Sequence, residues 1–168
     1  MRPELRTYLL WALLRFALVL LQVTVVPLIS IARVLPSLPL IGLTFIALRH
    51  GGLQAMFYAF PSGLMIDLYS GAVVGLTSLS FVAAVFVIGF FHDPERSQLI
   101  IRNIGAVILT TAAAFISSLI FAFAYLVRLD SSIWNIILLH VLGSTLYTAA
   151  LSIIPVLILA RTGPGLKV

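Results

Sequence analysis

The side chains able to do chemistry are few and scattered. Arg15, Gln22, Asp67, Asn103, Asn135 and His140 lie within or beside long apolar runs, and His50 and His92 lie in turns. Metal-assisted hydrolysis needs an HExxH helix or paired His and carboxylate ligands. The string His92-Asp93-Pro94-Glu95 has ligand-type residues, but Pro94 and its place between two apolar runs read as a solvated turn. Acyl hydrolysis needs a serine on a Gly-x-Ser-x-Gly elbow, which is absent. With no cysteine there is neither a thiol nucleophile nor a thiolate metal ligand. Chemistry on an isoprenoid phosphate would call for several acids or an arginine clamp, and Asp67 is the one carboxylate near a span. No catalytic residue, metal or cofactor is expected.

Ion-coupled transport would need intramembrane charge. Arg15, about two turns into the first apolar run, can snorkel to the headgroups. His140 reads as a neutral imidazole hydrogen-bonded to a neighbouring helix. Gln22 and Asn135 read as interhelical glue. Asp67 falls at the outer end of the third run, on the same side as Arg33 and Arg128. Pairing with one of these arginines and a partner-binding role are both open.

The elements that would hold these groups follow from composition. Of the 168 residues, 62% are apolar and 9% charged, with a mean hydropathy of +1.21. A soluble domain runs near ~45–50% apolar and ~25% charged, so the class is an integral membrane protein, read as one domain over residues 1–168. The net charge of +5 comes from single basic residues in turns, without interleaved stacking aromatics, and no nucleic-acid partner is expected. Six apolar segments are expected to be helices: Tyr8–Val26, Pro39–Leu48, Leu53–Leu68 (interrupted by Pro61 and Gly63), Val73–Phe91, Leu99–Val127 and Ile133–Ala160. They lack the two-residue alternation of a membrane barrel strand. The second is too short for a ~30 Å hydrocarbon core, and with the third it predicts a tight hairpin of incomplete helices.

Basic residues set the topology. Six spans with a cytoplasmic N-terminus put Arg2, Arg6, Arg49, Arg96, Arg102, Arg161 and Lys167 inside, and Arg33 and Arg128 outside. If the second segment failed to cross, only Arg2, Arg6 and Arg128 would remain inside, which inverts the rule that short cytoplasmic loops are rich in Lys and Arg. Both termini are therefore expected in the cytoplasm. Ser30-Ile31-Ala32 resembles a signal cleavage site, but the apolar stretch before it exceeds the ~7–15 residues of a secretory core and contains Arg15, so cleavage is not expected.

Small residues carry the clearest local signal. Gly63, Gly71 and Gly75 flank Asp67, and Gly71-x-x-x-Gly75 is a spacing that lets helix backbones approach closely. Tyr69-Ser70-Gly71 also reads as a tight outer turn. Ala112–Ala114 with Ser117 and Ser118 offer a close-packing face on the fifth segment. These features predict a compact bundle or a docking face.

Several strings together resemble the rod shape-determining MreD family: Leu21-Gln22, Pro36-Ser-Leu-Pro-Leu-Ile-Gly-Leu43, Ala47-Leu-Arg-His-Gly-Gly52, Gly63-Leu-Met-Ile-Asp67-Leu-Tyr-Ser-Gly71 and Gly75-Leu76. The likeness is specific from Leu21 to Leu76 and rests on hydropathy and length from Val82 onward. The chain departs from the family pattern at Ser37, where an acidic residue is common, and at Pro61, which is expected to bend the third segment. The resemblance implies a non-catalytic protein of the bacterial inner membrane, part of the cell-elongation machinery. Implied partners are the bitopic protein MreC, the RodA-type glycan polymerase with its class B penicillin-binding transpeptidase, and indirectly MreB filaments, besides membrane lipid. It also implies an all-α bundle of six transmembrane helices, similar to the substrate-binding subunits of energy-coupling-factor transporters. The candidate docking or structural residues are then Gln22, Arg33, Gly63, Asp67, Gly71, Gly75, Arg128 and His140. The rival reading is a vitamin-binding subunit of such a transporter. Those subunits resemble one another in an Ala-x-x-x-Ala pair on the first helix, whereas Ala12 and Ala17 here are wrongly spaced.

Overall fold

The structure, a computed structural model, describes residues 17, 19–24, 36–71, 73–93, 100–101, 103–126 and 141–161. Every regular element among them is helical. Residues 19–24 belong to a first helical stretch. After it come α1 (Leu38–His50), α2 (Gly52–Ser70), α3 (Leu76–Gly89), α4 (Ile104–Leu126) and α5 (Gly143–Arg161).

Helix α1 is bounded by the residues that define its ends. Pro39 sits in its first turn, where a missing N–H costs nothing. Gly51, at φ 90°, stops it, and the Gly51 N–H donates to the Ala47 carbonyl at 3.0 Å. Its 13 residues reach about 20 Å, well short of a bilayer core. That shortness is tolerated because protein surrounds it: Leu40, Ile41, Leu43, Thr44, Ile46, Ala47 and Leu48 are all buried. α2, α3, α4 and α5 pack against one another in chain order, and α1 touches all four. The described helices thus form an arc in sequence order, with the short helix laid inside it.

Pro61 does not interrupt α2, contrary to the expectation for the third segment; the helix runs unbroken from Gly52 to Ser70. Pro61 withholds an N–H from the Phe57 carbonyl, and two other carbonyls beside it carry hydroxyl donors. Ser62 Oγ donates to the Tyr58 carbonyl at 2.7 Å, and Ser78 Oγ of α3 donates to the Phe60 carbonyl at 3.0 Å. The 19 residues of α2 reach about 28 Å, so only α1 in this hairpin is incomplete. α3 starts at Leu76, later than the expected Val73, because Val73–Gly75 are spent on the preceding turn. α4 starts at Ile104, after a bend at Asn103.

The bundle is arranged for lipid. α4 buries Ala106, Thr110, Ala113, Ala114 and Ser117, while Ile104, Ile108, Phe115, Leu119 and Phe123 are exposed. Small and hydroxyl-bearing residues inside with large apolar ones outside is the distribution of a helix packing in a membrane, where association rests on close approach. Among the described residues α4 is the one helix long and apolar enough to cross a bilayer by itself.

Candidate functional site

The polar groups converge on helix ends and helix crossings. Asp67, near the C-terminal end of α2, is fully buried. Its carboxylate accepts the backbone N–H of Gly75 at 2.8 Å and that of Thr77 at 3.1 Å. Gly75 is the N-cap of α3 and Thr77 lies in its first turn. A helix begins with N–H groups that lack intrahelical acceptors and carries a partial positive charge there, so a carboxylate in this place satisfies both. Asp67 therefore acts as a cap supplied by the preceding helix. Arg33 and Arg128, the ion-pair candidates, lie outside the described residues, as does His140.

Gln22 does the same for α1. Its Nε2 donates to the Pro36 carbonyl and its Oε1 accepts the Leu38 N–H, both at 2.9 Å. The neighbouring Ser37 N–H donates to Thr148 Oγ1 of α5 at 3.1 Å. The start of α1 is thus pinned from the first helical stretch and from the last helix.

Two crossings lock α2 to α3. A Cβ on Gly63 would lie 2.5 Å from both Cα and N of Ser78. At the opposite end a Cβ on Gly52 would lie 3.0 Å from the Gly89 Cα. Gly63 is the close-packing glycine of the string around Asp67. Gly71 and Gly75 are not: their spacing predicted a helix-packing pair, yet both sit in the α2–α3 turn at φ 64° and 95° with open space where a side chain would go. Left-handed backbone is what these positions require, and glycine adopts it without steric cost.

Sequence reasoning missed several partners. His92, read as part of a solvated turn, is half-buried, and its Nδ1 donates to the Leu48 carbonyl near the end of α1 at 2.6 Å. Ser117 Oγ donates to Ser80 Oγ at 3.2 Å between α4 and α3, and the Ser118 and Ser144 hydroxyls lie 2.8 Å apart between α4 and α5. Only the hydroxyl types themselves, recurring in apolar runs, could have signalled them. Most other buried hydroxyls turn back on their own helix, as Thr44 does to Leu40, Thr110 to Ala106 and Ser152 to Ala149. Thr145 Oγ1 is the one buried side-chain polar atom without a partner among the described residues. Among those residues there is also no group of three His, Cys, Asp or Glu side chains placed to hold a metal ion. The arrangement is a mechanical frame: its hydrogen-bonding capacity is spent on holding helices.

The model of the family of rod shape-determining protein MreD matches residues 2–160, nearly the whole chain. The chain belongs to the MreD family. MreD is a membrane protein and a non-catalytic determinant of rod shape, in keeping with a frame of caps and crossings. Neither a curated protein nor a solved structure matches the chain.

Proposed function

We propose that this MreD-family protein is a multi-pass docking body in the bacterial cytoplasmic membrane, with six spans and both termini in the cytoplasm. It binds MreC and, with it, the RodA-type glycan polymerase and class B transpeptidase, and so regulates cell shape and peptidoglycan synthesis. In this reading the six helices form one membrane domain resembling the substrate-binding subunits of energy-coupling-factor transporters, retained without their ligand. The observation that carries it is the family match over residues 2–160. The frame adds support, since buried polar groups used up in helix capping leave apolar helix faces as the means of meeting a partner in lipid.

The test is a detergent pull-down of the tagged chain from its native membranes, with mass spectrometry of retained proteins and small molecules. Recovery of MreC, with or without the synthase pair, is the expected result. Recovery of an ATPase module or a bound vitamin with no elongation protein overturns the proposal.

A further inference from the structure

From Gly51 to Phe91 the sequence contains one ionisable acid or base, Asp67, tyrosines aside. The structure turns that carboxylate inward onto the start of α3, so the tip joining α2 to α3 shows no charge at its surface. What it shows is apolar: Leu68, Tyr69, Val73 and Val74 are exposed, Tyr69 at 72% and Val74 at 62%. The other end of the same helix pair is bounded by Arg49 and His50 before α2 and by His92 and Asp93 after α3.

Three further observations bear on what surrounds the tip. The first is length. If the charged end marks one membrane boundary, the 14 residues of α3 reach about 21 Å and the 19 of α2 about 28 Å, so the tip lies at the far edge of a ~30 Å core and not beyond it. The second is continuity: Leu68 extends the exposed stripe Leu53, Phe57 and Phe60 along α2, at the helical spacing that keeps all four on one side. The third is backbone satisfaction. Lipid tolerates a non-helical backbone only where its polar groups find partners within the protein. At this tip the Gly75 and Thr77 N–H groups donate to Asp67, that of Leu76 to the Val73 carbonyl at 3.1 Å and that of Leu79 to the Gly75 carbonyl at 2.8 Å.

We infer that the α2–α3 tip is immersed in the bilayer interface, with Leu68, Tyr69, Val73 and Val74 in contact with lipid, and that the buried Asp67 cap is what permits this. The partner is the lipid itself: acyl chains against the valines and Leu68, and the headgroup layer for the Tyr69 hydroxyl, the usual depth of an interfacial tyrosine. The inference is independent of which proteins the chain docks.

The chain has no cysteine, so a single introduced thiol reports one site. The full-length Val74→Cys protein, spin-labelled and reconstituted alone into phosphatidylethanolamine–phosphatidylglycerol vesicles, is tested for collision with oxygen, which concentrates in lipid, and with a water-soluble nickel chelate. Arg49→Cys serves as the water reference and Ile108→Cys as the lipid reference. The expected oxygen-to-nickel ratio at Val74 lies severalfold above that at Arg49, toward that at Ile108. A ratio equal to that at Arg49 overturns the inference, because the tip is then in water. Low collision with both reagents also overturns it, because protein then covers the tip. Tyr69→Cys repeats the test if Val74→Cys does not fold. Asp67→Asn in the Val74→Cys background is expected to lower the ratio toward the water reference, and an unchanged ratio removes Asp67 from the account.

Discussion

The two ends of the α2–α3 pair solve one problem by different means. At the charged end the helices meet at Gly52 and Gly89, and His92 reaches back to the last turn of α1. Arg49, His50 and Asp93 stand nearby, and Arg49 and His50 are exposed. At the other end no charge faces outward, and one buried carboxylate accepts the N–H groups that begin α3. Where water is at hand, a helix terminus can rely on solvent and flexible polar side chains. Where it is not, the acceptor must be built in, which makes that end the more brittle of the two.

Substitutions can break that contrast. Asp67→Ala strands buried N–H groups at the start of α3 and is expected to cost about 3 kcal/mol of stability, read as an earlier unfolding midpoint in detergent. His92→Ala at the other end is expected to cost nearer 1 kcal/mol; equal losses from the two would abolish the asymmetry. Gly63→Ala drives a methyl into the Ser78 backbone and is expected to lose about 2 kcal/mol. At the other crossing Gly89→Ala would drive its methyl onto the Gly52 Cα, whereas Gly52→Ala meets Gly89 at 3.0 Å, so the loss at Gly89 is expected to match that at Gly63 and to exceed that at Gly52. Gln22→Ala removes the cap of α1 and should cost about 1 kcal/mol in the same assay, with Gln22→Glu retaining the acceptor but losing the donor. At Gly75 alanine meets open space and pays only for a left-handed backbone, about 1–2 kcal/mol.

Much of the fold is legible in the sequence where a single residue has a local meaning. Pro39 and Gly51 bound α1, and its apolar length alone says that it is too short to span a bilayer without protein around it. The continuity of α2 through Pro61 is not legible, because a proline reads locally as a break while the packing of α2 on α3 joins residues far apart in the chain. Asp67 stands out as the lone acid, but its acceptor role depends on how the turn folds it over residues 75 and 77. The four-residue spacing of Gly71 and Gly75 fits a helix-packing pair as well as the two ends of a turn, and only their positive φ values separate the cases. The contact between His92 and Leu48 joins residues 44 positions apart, which no local pattern encodes.

The enclosure of α1 also bears on how the chain is made. Translation delivers this helix to the membrane before any of the four that will surround it. By itself it is too short to rest across lipid, and the two-glycine corner at Gly51-Gly52 ties it to α2, so the two must enter together. Even then its start is unfinished, since the Ser37 N–H finds Thr148 only 111 positions later, on α5. The start of α1 therefore reaches its final form only when α5 has been synthesised, and a chain truncated before α5 leaves this enclosed helix without that anchor.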